Sequence, residues 1–321
     1  MKIVITGGSG FMGTNLTAFF TQQGEAVLNL DIAAPRDGTQ RAYWQQCDIC
    51  EPRQLEQSLT EFNPDYLIHL AACTDLNEQA GMGYYRANIE GVEALVNCCS
   101  RLTNLKRVIF ATSMLVNRVG YIPESENDYN PTTNYGRSKV LSEQIIQHHS
   151  ATLPPYCTIR PTSIWGEWFG EPYRYFFDFV LSGRFFHPGD RACTKTYGYI
   201  GNSIYQINQL LHAPVEQIDR QLFYLGDRPP IPISEWADEI AAIAKVHQPI
   251  KLPFVLFQGL AKIGDGLHRL KLPFPMSSFR LTNMTTDNIL PLDNTYRVCG
   301  EPPYSRREGV ERTLQWLRRH G

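Results

Sequence analysis

The sequence predicts an α/β fold: a doubly wound parallel sheet with a smaller C-terminal lobe. Three features of the 321 residues lead there. An apolar, β-branched run at the N-terminus feeds a glycine turn, and the turn opens an amphipathic stretch. Apolar strand-like runs then alternate with helical periods through the first half, the pattern of right-handed βαβ crossovers. The second half instead carries short segments rich in proline and aromatic residues, as in W-G-E-W-F-G-E-P-Y-R-Y-F-F (Trp165 to Phe177).

In order, the first strand is Lys2 to Thr6 and the first helix Phe11 to Gln23. A-V-L-N-L-D (Ala26 to Asp31) is the second strand and Y-W-Q-Q-C-D-I (Tyr43 to Ile49) the third, before a helix from about Pro52 to Phe62. Y-L-I-H-L-A-A (Tyr66 to Ala72) precedes a helix over about Tyr84 to Ser100. R-V-I-F-A-T-S (Arg107 to Ser113) precedes a helix over Asn134 to His149, and Y-C-T-I-R-P-T (Tyr156 to Thr162) follows it. The expected division assigns 1–163 with about 199–226 to the sheet domain. About 164–198 and 227–321 form the lobe.

The glycine turn is the most specific signal. Gly8, Gly10 and Gly13 fit G-x-G-x-x-G, and with Gly7 the run also reads G-x-x-G-x-x-G. Without Cβ atoms the turn is tight, and the amides around Gly7, Gly10, Phe11, Met12 and Gly13 can approach a pyrophosphate at a helix N-terminus. Asp31 closes the second strand, where a carboxylate accepts both ribose hydroxyls of NAD and repels a 2′-phosphate. Arg36 further along the loop tempers that preference. The competing reading, an ordinary Gly-rich turn, does not require the acid. NAD is therefore the expected cofactor.

Composition narrows the class. The net charge is -2 and no basic tract occurs, which argues against nucleic acid as a partner. Met1 runs straight into a strand and no apolar run reaches the roughly 18 residues that span a bilayer, so a cytoplasmic protein without an integral membrane segment is expected. The eight cysteines read as free thiols. Cys47 and Cys50 form C-D-I-C, but no second pair stands at ligand spacing, so no metal is expected.

Tyr135 and Lys139, in Y-G-R-S-K, lie four residues apart and so on one helix face. An ammonium beside a phenol favours the phenolate, which makes Tyr135 a candidate proton shuttle and leaves Lys139 within reach of the nicotinamide ribose. The pair falls one strand–helix step after Ala111-Thr112-Ser113, where a parallel strand delivers side chains to a cleft.

With these residues in place, the chain resembles an extended short-chain dehydrogenase/reductase of the NAD-dependent epimerase/dehydratase type, on a Rossmann fold, acting on a nucleoside diphosphate sugar. The resemblance is strongest from Met1 to about Gly201. It implies that Ser113, three residues before Val116, holds a sugar hydroxyl, that Tyr135 is the acid/base and that Lys139 binds ribose. It implies that Asp48 and Ile49 flank adenine and that Leu70, Ala71 and Ala72 line the dinucleotide path. Asn88 lies on the helix beneath that path, Pro161 completes the cofactor site, and two copies form a homodimer.

Departures from the family pattern narrow the chemistry. The related 4,6-dehydratases place Asp-Glu after the threonine, whereas Met114 and Leu115 follow Ser113 and neither can move a proton. Decarboxylating relatives need a glutamate on this loop, and it is missing. Hydride transfer at C4 remains, as 4-epimerisation or 4-keto reduction. R-P-T-S-I-W-G (Arg160 to Gly166) resembles the family's R-x-x-N-V-Y-G, with Ser163 where asparagine is usual. Lys195 matches an arginine that faces the diphosphate, as a point charge without the bidentate fork. Arg280 is a candidate second cation; surface solvation is the competing reading of both. Trp165, Trp168, Phe169 and Tyr173 read as lobe core or as a stacking wall.

One stretch pulls elsewhere. Leu252 to Leu270 is amphipathic and resembles the proline-led helix of 3β-hydroxysteroid dehydrogenase-like relatives. It would line an apolar pocket, rest on a membrane surface, or pack within the lobe, where Gly259, Gly264 and Gly266 would weaken a free-standing helix. A non-catalytic NAD-binding protein is the third alternative.

Overall fold

The computed structural model describes residues 1–76, 81–170, 173–189, 193–270, 272, 274 and 276–320. The first half comprises β1 (Lys2–Thr6), α1 (Phe11–Gln22), β2 (Ala26–Asp31), β3 (Trp44–Gln46), α2 (Pro52–Phe62), β4 (Tyr66–His69), α3 (Arg86–Cys99), β5 (Arg107–Ala111), α4 (Asn134–His148) and β6 (Tyr156–Pro161). The chain continues through β7 (Ser163–Trp165), α5 (Tyr173–Leu181), β8 (Phe186–Pro188), β9 (Thr194–Lys195), β10 (Tyr197–Tyr199), α6 (Ile200–His212), α7 (Val215–Ile218) and β11 (Gln221–Leu225). It closes with β12 (Ile231–Pro232), α8 (Ile233–Ala244), β13 (Ile250–Leu252), α9 (Phe254–Arg269), α10 (Ser278–Thr285), α11 (Asp293–Cys299) and α12 (Arg306–His320).

The central sheet has seven strands in the order β11-β6-β5-β4-β1-β2-β3, all parallel. Helices cover both faces, so the inner strands β1, β4 and β5 are apolar through most of their length. Ile3 and Ile5 enter one core layer with Leu16 and Phe20 of α1, while Val4 between them enters the other with Val92 and Leu95 of α3. Strand order reverses at β1, which lies between β2 and β4. The crevice outside the carboxyl ends of β1 and β4 is the switch point where such sheets bind ligands.

Two local readings change. The third strand stops at Gln46, because the Asp48 carboxylate accepts the Cys50 N–H (2.9 Å) and turns the chain. The helix expected from Tyr84 begins as a 3-10 turn over Met82–Tyr85 and becomes α-helical at Arg86.

The lobe is held by three two-stranded pairs, β7 with β10, β8 with β13 and β9 with β12. Its centre is aromatic: Trp236 lies against Trp165, Phe176, Phe177 and Tyr197. Trp165 and Phe169 are thus buried core, while Trp168 packs at the edge on Trp316 and His320. α9 runs through its three glycines. At Gly264 a Cβ would come within 1.7 Å of the Met276 carbonyl oxygen, so only glycine lets that segment lie against the helix.

Candidate active site

The glycine turn leads from β1 into α1 and packs on itself. A Cβ at Gly13 would lie 2.2 Å from the Gly7 carbonyl oxygen, and one at Gly7 (φ +74°) would lie 2.5 Å from the Ala71 nitrogen. A Cβ at Gly8 would strike the Asn29 side chain at 2.3 Å. Gly10 is different: its Cβ would meet only Gly7 O, at 3.2 Å, so open space lies over it. Gly10 caps α1 with no side-chain hydrogen bond, and no acid stands in the first turn. Phe11 and Met12, both partly exposed, and buried Gly13 therefore offer first-turn amides that an anion can satisfy. These residues fit a pyrophosphate.

Asp31 ends β2 beside the turn. Its carboxylate accepts the Ser9 N–H (3.0 Å) and the Ala33 N–H (2.9 Å), which fixes it at the mouth of the crevice. Asp48 is partly exposed, but the Ile49 side chain is buried in the core against Gly91 of α3. That leaves the Ile49 backbone alone to flank adenine, its apolar side chain belonging to the core. Leu70, Ala71 and Ala72 are partly exposed at the end of β4, with Leu70 N–H donating to Thr6 O (2.9 Å). Pro161 ends β6 on the same side of the sheet.

Asn88 lies on α3, under the segment that follows β4. It is fully buried on α3, where its carbonyl accepts the Cys73 N–H (2.8 Å) and its amide donates to Cys73 O (2.9 Å) and Ser138 Oγ (2.8 Å). Both amide protons are spent, so Asn88 ties the segment after β4 to α4 as a positioning residue.

Ser113 and Tyr135 meet. Ser113 follows β5, its Oγ accepting the Leu115 N–H (3.1 Å), and it lies close enough to the Tyr135 phenol to pull its pKa down. Thr133 caps α4 through the Gly136 N–H (3.0 Å), and this aims Tyr135 and Lys139 inward from the first turns. Both are buried, at 7% and 3% exposure, so neither is the solvated surface pair that Y-x-x-x-K usually forms.

The electrostatics differ from the expected pairing. Burial pushes the Tyr135 phenol up to about 12, and the opposing influence comes from the Ser113 hydroxyl rather than from Lys139. The Lys139 ammonium instead donates to Ala111 O (3.2 Å). Burial lowers it to about 8, with Glu143 pulling the other way. His69, buried at the end of β4, feels Lys139 and is lowered to about 3, chiefly by burial. Its Nδ1 meets Thr6 Oγ1 (2.7 Å).

Beneath Lys139 lies a buried ion pair that the sequence reading missed. Arg160 donates through Nε to Glu143 Oε1 (2.9 Å) and through Nη2 to Oε2 (2.6 Å). Arg160 Nη1 donates to Tyr224 OH (2.9 Å), and Thr112 Oγ1 donates to Glu143 Oε1 (2.7 Å). The available signal was the four-residue spacing, which continues from Tyr135 and Lys139 to Glu143. Cys73, whose charge would bear on both Tyr135 and Lys139, was also missed.

The lobe residues are close in the fold but engaged. Ser163 stands opposite Tyr197 in the β7–β10 register, and it lies close enough to Tyr173 to pull that phenol's pKa down against burial. Lys195 donates to the Asn283 carbonyl on α10, and burial lowers its pKa. Arg280 is exposed on the first turn of the same helix. Ser163 thus stands within the β7–β10 ladder, whereas Lys195 and Arg280 converge on α10.

Known proteins share this fold and family. The chain is 22% identical over 331 residues, 98% of it and 95% of the relative, to N-acetyl-alpha-D-glucosaminyl-diphospho-ditrans,octacis-undecaprenol 4-epimerase of Escherichia coli O157:H7. The fold superposes on UDP-glucose 4-epimerase of Thermotoga maritima with UDP-glucose, at a TM-score of 0.77 and 19% identity, covering 100% of this chain and 99% of that one. UDP-glucuronic acid 4-epimerase of Bacillus cereus, in complex with UDP-glucuronic acid and NAD, gives a TM-score of 0.76 at 17% identity and covers 100% of both chains. The model of the NAD-dependent epimerase/dehydratase family matches residues 3–180, and with that match the chain belongs to this family, whose cofactor is NAD.

Proposed function

We propose that this protein is a 4-epimerase of a diphosphate-linked sugar, with Tyr135 as its acid/base. The observation that carries the reading is the buried approach of Tyr135 to Ser113, with Lys139 one helical turn on, at the carboxyl end of β5 and one strand removed from β1 and its glycine turn. The first-turn amides of Phe11, Met12 and Gly13 would hold the pyrophosphate over the turn that Gly7 and Gly10 shape with their own amides bonded to Leu30 O and Gly7 O, while Asp31 would hold the adenosine ribose and Lys139 the nicotinamide ribose. NAD, when bound, supplies the group that takes and returns hydride. Ser113 Oγ orients the C4 hydroxyl, and Tyr135, whose phenol is neutral in the ligand-free cleft, takes up and returns that hydroxyl's proton once its own has left to solvent. Met114 packs against an apolar cluster with Tyr224 and Tyr296, and neither it nor Leu115 carries a proton, which favours epimerisation over loss of water. Lys195 and Arg280 favour a diphosphate over a sterol.

A thermal-shift screen with NAD present tests the substrate class, using nucleoside diphosphate sugars, a polyprenyl diphosphate sugar and sterols. A diphosphate sugar near 100 Kd should add about 2.7 kcal/mol. Stabilisation by sterols alone would reject the reading. Product formation without net NADH consumption marks the epimerase, and stoichiometric consumption would make the enzyme a 4-keto reductase.

A further inference from the structure

α9 buries one stripe of side chains and leaves an adjoining, equally apolar stripe in water. Phe257 and Ala261 face the lobe with Leu281 of α10, and Gly264 abuts Met276. One residue earlier, at the same spacing of four and three, Leu256, Leu260 and Ile263 stay 52%, 43% and 56% exposed. Successive residues are about 100° apart on a helix, so the two stripes lie side by side. Leu270 and Leu272, just beyond the helix, extend the uncovered surface. An exposed apolar patch this continuous marks an interaction site.

Charge identifies the occupant. From Ile250 to Leu272 the sequence carries Lys251, Lys262, Arg269 and Lys271 against Asp265 alone, in a chain whose net charge is -2. A local sign opposite to that of the whole chain suits an anionic surface. Two-fold pairing of copies along this segment would bring together two stretches of like net charge. Among the described residues no helix is long and apolar enough to cross a membrane, so the contact is with a surface.

We propose that the exposed stripe of α9 seats this protein on an anionic lipid bilayer, lying in the headgroup region with Leu256, Leu260 and Ile263 toward the acyl chains. α10 packs beside α9 and carries both Arg280 and the carbonyl that holds Lys195. Docking therefore brings those cations within one helix of the bilayer. The inference goes beyond the epimerase reading and stands without it.

The test is co-sedimentation of the full chain with vesicles of phosphatidylcholine alone and of phosphatidylcholine mixed with phosphatidylglycerol. Wild-type protein should pellet with the mixed vesicles, and less so as salt rises. Leu260→Glu/Ile263→Glu should lower the partition coefficient tenfold or more, roughly what losing two apolar insertions costs. Both positions already face water, so the far-UV spectrum and melting midpoint should be unchanged. Lys262→Gln should weaken binding to the mixed vesicles only. Failure of the wild type to pellet, equal pelleting on neutral vesicles, or unchanged pelleting of the double variant would each overturn the proposal. A wild-type dimer that the double variant dissociates would assign the face to a second copy instead. Because no arm reads turnover, a wrong sugar assignment leaves these outcomes unaffected.

Discussion

Tyr135 holds its proton tightly in the ligand-free cleft: burial lifts the phenol to about 12, and one serine hydroxyl opposes it. Tyr135→Phe keeps the ring and removes the proton, so turnover should fall by roughly two or more orders of magnitude while NADH affinity, read by fluorescence titration, holds. Near wild-type turnover would remove Tyr135 from the chemistry. Asp31 makes a second prediction. Its carboxylate, fixed by the Ser9 and Ala33 amides, should meet a 2′-phosphate at close range, so the apo-protein should bind NADH more tightly than NADPH in parallel titrations. Both residues were legible in the sequence because their chemistry is written in local spacing. The partner of Lys139 was not, because spacing says which face a side chain occupies but not what lies across from it. The opposite member proved to be the Ala111 carbonyl.

At the scale of elements, apolar periodicity located α1, α2 and α4 closely, since that signal lies within the element. What stayed hidden joins elements. Glu143 of α4 and Arg160 of β6 are 17 residues apart and form a bidentate, water-excluded pair, and neither residue alone announces the other. Ile49 shows the same limit: a position beside the expected adenine site reads identically whether its side chain points to the crevice or, as here, to the core. Arg160→Met should leave Glu143 buried and unpaired and cost about 3–5 kcal/mol in urea unfolding. Adding Glu143→Leu should recover much of that loss, because the penalty belongs to the stranded charge. A double variant no more stable than Arg160→Met would show that packing, not charge, is what the pair contributes.

For the whole molecule, Asp227 links global stability to pH. Its carboxylate accepts the Tyr199 N–H (2.7 Å) and an Asn202 amide proton (3.0 Å), and burial lifts it from 3.8 to about 7 against those bonds. Between those values the folded state binds more protons than the unfolded one, so stability falls as pH rises through the window. Asp227→Asn should flatten that slope in urea titrations run from pH 4 to pH 7, and an unchanged slope would assign it to other groups. The sheet carries a separate consequence. β6 is flanked by β5 and by β11, and β11 arrives only after the chain has made its excursion through the lobe. A fragment cut after Ser163 would keep the glycine turn, Ser113, Tyr135 and Lys139, yet end on a bare strand with Cys157 and Ile159 uncovered. Such an edge templates pairing with its own copies. Size-exclusion chromatography should therefore find the fragment aggregated, and a monodisperse monomer would contradict this. The half of the chain that carries the chemistry owes its solubility to a strand from beyond it.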